Sequence, residues 1–343
     1  MKQLFYLITI FILISCVNNT SNKTTHSTAQ KKVFKGNAFG TTYSINVYLD
    51  EDIKLEKGID SLIYLVNRSV SIYLPNSDIS KINKGDASIV VDQIFIDNFN
   101  ISKEVNLKTQ GYFDPTIGVL RNAYGFGDEK PLEKIDRKTI DSLLQYVGFQ
   151  KVSINAENKV EKEYPQIYFD FNAVAKGYGI DRIGQYLESK GISNYLIELG
   201  GELLAKGINL EKDKDWVVGI ENVDSKLENR SYSTILTLKN EAMAASGNYR
   251  KFRIDPISGK KYVHTLNPIT GSAEKSDVTS ATVIASTCAV ADAYATSFMA
   301  LGLERSKEVL ANLKGVDAYL TYNDESNTER VYVTEGFKTR LLN

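Results

Sequence analysis

The amino-acid sequence predicts an α+β fold of mixed, largely antiparallel sheets with flanking helices. Strand-like segments joined by short glycine-bearing turns dominate the second half of the chain, which favours antiparallel pairing. Other segments place apolar residues at helical spacing. No internal repeat and no Pro/Gly-rich linker divides the 343-residue chain after Val33. Residues 33–343 are therefore expected to form one domain.

The individual elements follow from the spacing of apolar residues. Alternating Ile45, Val47 and Leu49 predict a half-buried strand over 43–49. Apolar faces at helical spacing predict helices around 59–66, 94–105 and 140–147, and further helices are expected over 173–189 and 287–301. The remaining strands are predicted at 167–171, 195–198, 216–220, 232–238, 278–286 and 318–322.

The charge balance argues against nucleic-acid binding, and the cysteine content limits the kinds of metal site and disulfide that are possible. The chain has 41 basic and 42 acidic residues, a net charge of −1, whereas a nucleic-acid binder would normally show a basic excess. The two cysteines are Cys16 and Cys288, and the first lies in a predicted export signal. A single thiol in the mature fold cannot form an internal disulfide or a cysteine-based metal site. Any metal must then be bound by oxygen or nitrogen.

The N-terminus is typical of an exported lipoprotein. A short positive segment precedes the apolar run 4–14, which is too short to span a bilayer and suits a signal peptide. The run ends in Leu13-Ile14-Ser15-Cys16, which resembles a bacterial lipobox. We therefore expect residues 1–15 to be a signal peptide and Cys16 to carry lipid, with the protein on the exported, periplasm-facing side of a bacterial membrane. An uncleaved anchor, or secretion with a chance cysteine, is the alternative.

Residues 16–32 are predicted to be a flexible tether between the lipid and the domain. The segment is rich in Asn, Ser and Thr and holds almost nothing apolar, so that it cannot bury enough surface to fold. His26 lies in this tether and is not a catalytic candidate.

Four short segments combine polar residues with glycines where apolar patterns end, as ligand-binding loops do. Residues 114–118 follow a predicted helix, and residues 170–177 lead into a helix whose free N–H groups would favour an anion. A simple turn in the first case, and an Asp cap with a surface Lys in the second, are open alternatives. Residues 198–202 are more typical of a bulge or tight turn without chemistry, and residues 245–249 are predicted to be a similar polar turn between strands.

Three residues are candidates for proton transfer and metal binding. His264 is the only histidine of the predicted domain, and it is the one imidazole available near neutral pH. A structural role is the alternative. Asp292 and Thr296 are four residues apart on a predicted helix and share a face, which suits Mg²⁺ or Ca²⁺. A plain Asp–Thr hydrogen bond would have the same spacing.

Taken in order, the motifs resemble the ApbE-like FAD:protein FMN transferases, from about Phe39 to the C-terminal region. They are FGTTY (39–43), YLPNSDISKIN (73–83), GYFDPTIG (111–118), DFNAVAKGY (170–178), the glycine pair 200–201, SGNY (246–249), HTLNP (264–268) and ADAYAT (291–296). The resemblance implies a single catalytic domain of the ApbE-like, T-fold-related kind. Many members of this family are lipoproteins, in agreement with the N-terminus.

The resemblance also implies a division of roles among the residues. FAD would contact Phe39, Tyr73, Tyr112, Phe113, Asp114, Asp170, Lys176 and the backbone near Leu266. Mg²⁺ would be held by Asp292, Thr296 and the backbone carbonyls of Ala173 and Ala295. His264 is the candidate base for the acceptor hydroxyl, with Asp292 as a further participant.

The expected reaction moves FMN from FAD to a threonine hydroxyl of an acceptor protein and releases AMP. By resemblance, the acceptors are membrane-associated redox subunits. One alternative keeps the pocket but uses water, as an FAD pyrophosphatase that yields FMN and AMP. The other is a non-catalytic flavin-binding lipoprotein, which the Asp292–Thr296 pair disfavours because flavin binding alone needs no metal.

Overall fold

Alternating inward and outward side chains build one large antiparallel sheet. The computed structural model describes residues 30–49, 53–222, 231–248, 252–254, 259, 261–273 and 275–342. The strands are β1 (Gln30–Ala38), β2 (Thr41–Leu49), β3 (Val152–Ile154), β4 (Val160–Lys162), β5 (Tyr195–Leu199), β6 (Glu202–Lys206), β7 (Trp216–Glu221), β8 (Tyr232–Leu238), β9 (Glu241–Gly247), β10 (Phe252–Ile254), β11 (Lys261–Val263), β12 (Val278–Ala285), β13 (Asp317–Asn323), β14 (Glu329–Val333) and β15 (Leu341–Leu342).

The helices cover the sheet and connect its strands. They are α1 (Glu56–Val70), α2 (Asp78–Asn83), α3 (Gln93–Lys108), α4 (Gly118–Tyr124), α5 (Arg137–Leu144), α6 (Ala175–Ser189), α7 (Cys288–Leu301), α8 (Leu303–Ala311) and α9 (Glu335–Lys338), with a 3₁₀ turn at Phe149–Lys151. Within the described ranges, no helix has the length and apolar character needed to cross a membrane.

The large sheet has the strand order β1-β2-β5-β6-β9-β12-β13-β14, and each neighbouring pair is antiparallel. A smaller sheet, β15-β8-β7, packs against it through a cluster that includes Trp216, Leu236 and Phe337. The predicted α+β class with largely antiparallel sheets is therefore confirmed.

Helix α7 lies at the centre of the molecule. It packs on β9, β12 and α6, and its side chains are buried on nearly every face. A helix that is apolar all round is stable only inside a core. A carboxylate on such a helix must find a charge partner or a ligand, since water cannot reach it.

Most of the predicted elements are confirmed, with two corrections. Residues 167–171 are not a strand. The segment is largely buried, but its backbone bonds to the end of α2 and to a loop: Phe169 N donates to Asn83 Oδ1 (2.8 Å) and Asp170 N donates to the Pro115 carbonyl (2.7 Å). In addition, β1 begins at Gln30, so that residues 30–32 of the predicted tether belong to the sheet. The signal peptide, Cys16 and the rest of the tether lie outside the described residues.

Candidate active site

The N-termini of α6 and α7 meet at the core. Gly177 makes this approach possible, because a Cβ there would overlap the backbone of Cys288. The Gly177 amide donates a hydrogen bond to Asp292 Oδ2 at 3.4 Å. The predicted metal-binding carboxylate is thereby brought to the start of the helix that follows the 170–177 segment.

Lys176, Glu202 and Asp292 form a charged cluster in which the two acidic residues are buried and the lysine is half-buried. The Lys176 Nζ lies 2.6 Å from Glu202 Oε1, and the carboxyl group of Asp292 is close enough to raise the pKa of Glu202. Glu202 begins β6 after the turn at Gly200 and Gly201, whose φ angles of +60° and +94° favour glycine. The turn therefore directs a carboxylate into the core, where only 1% of Glu202 is exposed.

The cluster contains more acidic groups than cations. Burial raises the pKa of Glu202 and of Asp292, and the proximity of the two carboxyl groups raises that of Glu202 further. Burial opposes the charge on Lys176, but the two carboxylates outweigh it and raise the Lys176 pKa above its usual range. One ammonium group thus faces two acidic groups.

This donor set fits a hard divalent cation. Asp292 and the half-buried Thr296 share one helix face, and Ala173 lies two residues before α6. The buried Glu202 Oε2 has no hydrogen-bond partner in the described part of the chain. The same part of the chain contains no group of three His, Cys, Asp or Glu side chains suited to a metal. A metal at Asp292 would therefore depend on hydroxyl and carbonyl oxygens, which Mg²⁺ accepts.

The 111–118 loop and the segment before α6 are joined through their backbones. Besides the bond from Asp170 N to Pro115, the Gly118 amide donates to the Tyr168 carbonyl at 3.1 Å. Arg121 of α4 holds Asp170 through a 2.7 Å ion pair between Nε and Oδ2. Two of the segments predicted to contact FAD therefore form one surface.

Asp114 is engaged inside its own loop. Its Oδ1 accepts from the Thr116 amide (2.8 Å) and hydroxyl (2.6 Å), and its Oδ2 accepts from the Phe149 amide (2.9 Å). Burial raises the pKa of this carboxyl. These bonds shape the loop, and an FAD contact by Asp114 stays a prediction. Its neighbour Phe113 is buried, while the ring of Tyr112 lies 4.9 Å from the Arg305 guanidinium.

Phe39 and Tyr73 both contact the region around the start of α6. Phe39 has a φ of +49° in the β1–β2 turn, and its ring packs where a side chain at position 179 would lie, so that Gly179 is required there. Tyr73 is 58% exposed, and its hydroxyl accepts a hydrogen bond from Asn172 Nδ2 at 3.3 Å. The exposed ring remains open to a ligand.

The segment of His264 and Leu266 follows β11 and packs on α4. Leu266 is buried in a cluster with Leu120 and Tyr124, and the Tyr124 hydroxyl donates to the Gly271 carbonyl at 3.0 Å. In the same segment, Ile269 lies 3.3 Å from where a Cβ on Gly111 would stand. The half-buried His264 is thus on a segment that borders the predicted FAD loop, whereas Lys176 and Asp292 meet at α6 and α7.

Two contributors to the site were not found by sequence reasoning. Glu202 lies in the segment for which a plain turn was the favoured interpretation, and its signal was an acidic residue directly after a strand-ending glycine pair. Arg121, the partner of Asp170, lies in a short helix without any local motif. The predicted turn at 245–249 was wrong for residues 245–247, which belong to β9, and Tyr249 lies outside the described residues.

Comparison with known proteins identifies the family. The ApbE family matches residues 39–320. FAD:protein FMN transferase of Haemophilus influenzae is 32% identical over 316 residues, covering 88% of each chain, and that of Vibrio cholerae is 32% identical over 289 residues, covering 82% of this chain and 84% of the relative.

Solved structures agree with the sequence relatives. The flavin transferase ApbE from Vibrio cholerae superposes with a TM-score of 0.80 and 30% identity, covering 91% of this chain and all of that one. The apbe protein of Thermotoga maritima gives a TM-score of 0.78 at 25% identity, covering 92% and 100%. The chain belongs to the ApbE family.

Proposed function

We propose that this protein is an FAD:protein FMN transferase, which moves FMN from FAD to a threonine hydroxyl of an acceptor protein with the help of Mg²⁺. The observation that carries the proposal is the buried pair Glu202–Asp292, balanced by a single lysine in a member of this family. When both carboxyl groups are ionised, the pair carries a buried excess of negative charge, which is costly unless a second cation offsets it. FAD binding alone would not require that excess.

The reaction replaces a phosphoanhydride bond with a phosphate ester bond. The acceptor oxygen attacks the FMN phosphorus, the phosphoanhydride bond breaks, and AMP leaves with the bridging oxygen. The proton of the acceptor hydroxyl goes to His264, a half-buried residue on the segment that borders the predicted FAD loop. Transfers of this type depend on positioning and charge neutralisation more than on covalent help.

The residues around α6 would hold the pyrophosphate. The N-terminal amides of this helix and the Lys176 ammonium supply positive potential. Asp292, Thr296 and the carbonyls of Ala173 and Ala295 would bind Mg²⁺, which supplies Lewis-acid stabilisation of the phosphate oxygens. Arg121 holds Asp170, and the exposed Tyr73 ring lies beside Asn172, where the remainder of the nucleotide would be recognised.

The acceptor and the cellular location complete the proposal. Relatives bear the name FAD:protein FMN transferase, and a lipid on Cys16 would place the enzyme beside membrane-associated redox subunits on the periplasm-facing side. Replacing Cys16 with Ser should move the protein from the membrane fraction to the soluble fraction of the exported compartment. Retention in the membrane after removal of residues 1–15 would contradict the lipid anchor.

A transfer assay tests the function directly. Purified protein is incubated with FAD, Mg²⁺ and a candidate acceptor. The mass of the acceptor is measured by intact-mass spectrometry, and the AMP released is quantified. An FMN-sized mass gain that disappears when the acceptor threonine is replaced with Val supports transfer. Free AMP and FMN without an adduct would support the pyrophosphatase alternative. Bound FAD with no turnover would support a flavin-binding lipoprotein.

A further inference from the structure

We propose that Asp181 is a positioning residue that holds the two halves of the predicted metal site in register. One half comes from α6 and the segment before it, with Ala173 and Lys176. The other half comes from α7, with Asp292 and Thr296. The inference rests on the proposed function, since it concerns the metal used in the transfer reaction.

The Asp181 carboxylate caps a helix other than its own. Its Oδ1 accepts from the Cys288 amide at 2.7 Å, and its Oδ2 accepts from the Ala289 amide at 2.9 Å. The first amides of a helix have no partner within it, and a side chain at the N-cap usually binds them. Thr287 stands at the N-cap of α7 with extended backbone angles, yet its side chain makes no cap bond. Asp181 of α6 makes these cap bonds instead.

Asp181 and Gly177 both belong to the contact between α6 and α7. They are one turn apart on α6, so that they share a face. Gly177 allows the backbones to approach at Cys288, and its amide reaches Asp292. The contact at Gly177 permits this approach but has no direction of its own. The two bonds from Asp181 to successive amides fix the rotation and register of α7, and hence the direction of Asp292 and Thr296 relative to Ala173.

Asparagine at position 181 would break this arrangement while keeping its shape. One carboxylate oxygen becomes an NH₂ group, which faces a backbone N–H that it cannot accept from. In Asp181→Asn we expect the Mg²⁺ concentration for half-maximal transfer to rise about tenfold, the lower end of the effect of removing groups that orient metal ligands. The kcat at saturating Mg²⁺ and the binding of FAD without metal should stay near wild type, since the ligands themselves remain.

A matched control separates this role from general stability. Thr334 caps α9 by accepting from the Phe337 amide at 3.4 Å, and α9 carries no residue of the site. Thr334→Val therefore removes a helix cap away from the metal ligands, and its Mg²⁺ requirement should equal that of wild type. An Mg²⁺ requirement in Asp181→Asn within twofold of wild type would overturn the proposal.

A second variant separates capping of α7 from its attachment to α6. In Asp181→Asn combined with Thr287→Asp, the N-cap residue itself supplies a carboxylate to the α7 amides, which restores the cap and keeps the protein folded. We expect stability to recover while the Mg²⁺ requirement stays raised. Recovery of both would show that α7 needs only a cap, against the proposal. Wild-type transfer that is insensitive to a chelator would instead refute the metal dependence of the proposed function.

Discussion

The Lys176 ammonium and the Glu202 carboxylate lie 2.6 Å apart at the point where α6, β6 and α7 meet. The ion pair leaves Asp292 as a second acidic group beside a single cation, because Lys176 is already paired with Glu202. Charge neutralisation by Lys176 alone is therefore incomplete, and the stability of this region should depend on the lysine and on a bound cation.

Removing Lys176 should destabilise the protein strongly. Lys176→Met leaves two carboxyl groups without a cation in the core, and breaking a buried pair in this way costs roughly 3–5 kcal/mol. The free energy of unfolding, measured with urea in the presence of a chelator, should fall by about that amount. The control is Lys206→Met, which removes an exposed pair with Glu188 (3.3 Å) and should cost less than about 1 kcal/mol. Equal losses would contradict the role of the cluster.

Mg²⁺ should stabilise the wild-type protein through Asp292. A ligand present at 100 times its Kd raises the free energy of unfolding by about 2.7 kcal/mol. Asp292→Asn removes the charged ligand, so that added Mg²⁺ should no longer raise the melting temperature and transfer should be lost. A melting temperature that rises equally in both proteins would place the metal elsewhere.

His264 should act on the rate and not on FAD binding. A general base contributes about 10²–10⁴-fold, so that His264→Ala should slow transfer by that factor while FAD fluorescence titration gives an unchanged affinity. His26→Ala is the control, because that histidine lies in the predicted tether and should have no effect. Unchanged transfer by His264→Ala would remove this residue from the mechanism.

The spacing of apolar residues was enough to predict the strands and helices that bury one regularly spaced apolar face. Strand β8 spans the predicted 232–238, and α7 begins one residue after the predicted start. The strand predicted at 167–171 was wrong because an apolar run indicates burial but does not indicate the hydrogen-bond partners of the backbone. Here the partners are Asn83 and Pro115, which no local pattern identifies.

The residues of the candidate site also fall into two groups: those that local spacing predicted and those that it did not. Asp292 and Thr296 were paired by helical spacing, a local property, and the structure places both on α7 with Asp292 buried at the meeting of two helices. Glu202 and Asp181 were missed because each acts across the fold, on Lys176 in one case and on Cys288 in the other. Contacts of this kind depend on how the helices pack against each other. The spacing of residues along a single sequence does not reveal that packing.

Asp181 should make the stability of the protein depend on pH. Burial raises its pKa from 3.8 to about 7, although the amides of Ala289 and Cys288 lower it. Between these two values the unfolded chain is ionised while the folded chain keeps the proton, so that unfolding releases a proton. The contribution is fully present below about pH 4, is lost as the pH rises to about 7, and is constant above that.

The comparison with Asp181→Asn isolates this group from Glu202 and Asp292, whose pKa values burial also raises. Asparagine does not titrate, so the stability advantage of wild type over the variant should be larger at pH 5 than at pH 8. Each unit of pKa shift corresponds to about 1.4 kcal/mol, and a change of at least about 1 kcal/mol should be measurable. Urea unfolding of both proteins from pH 5 to pH 8 with a chelator measures it. A constant difference across that range would mean that Asp181 stays ionised in the folded state and that its two amide bonds outweigh the cost of burial.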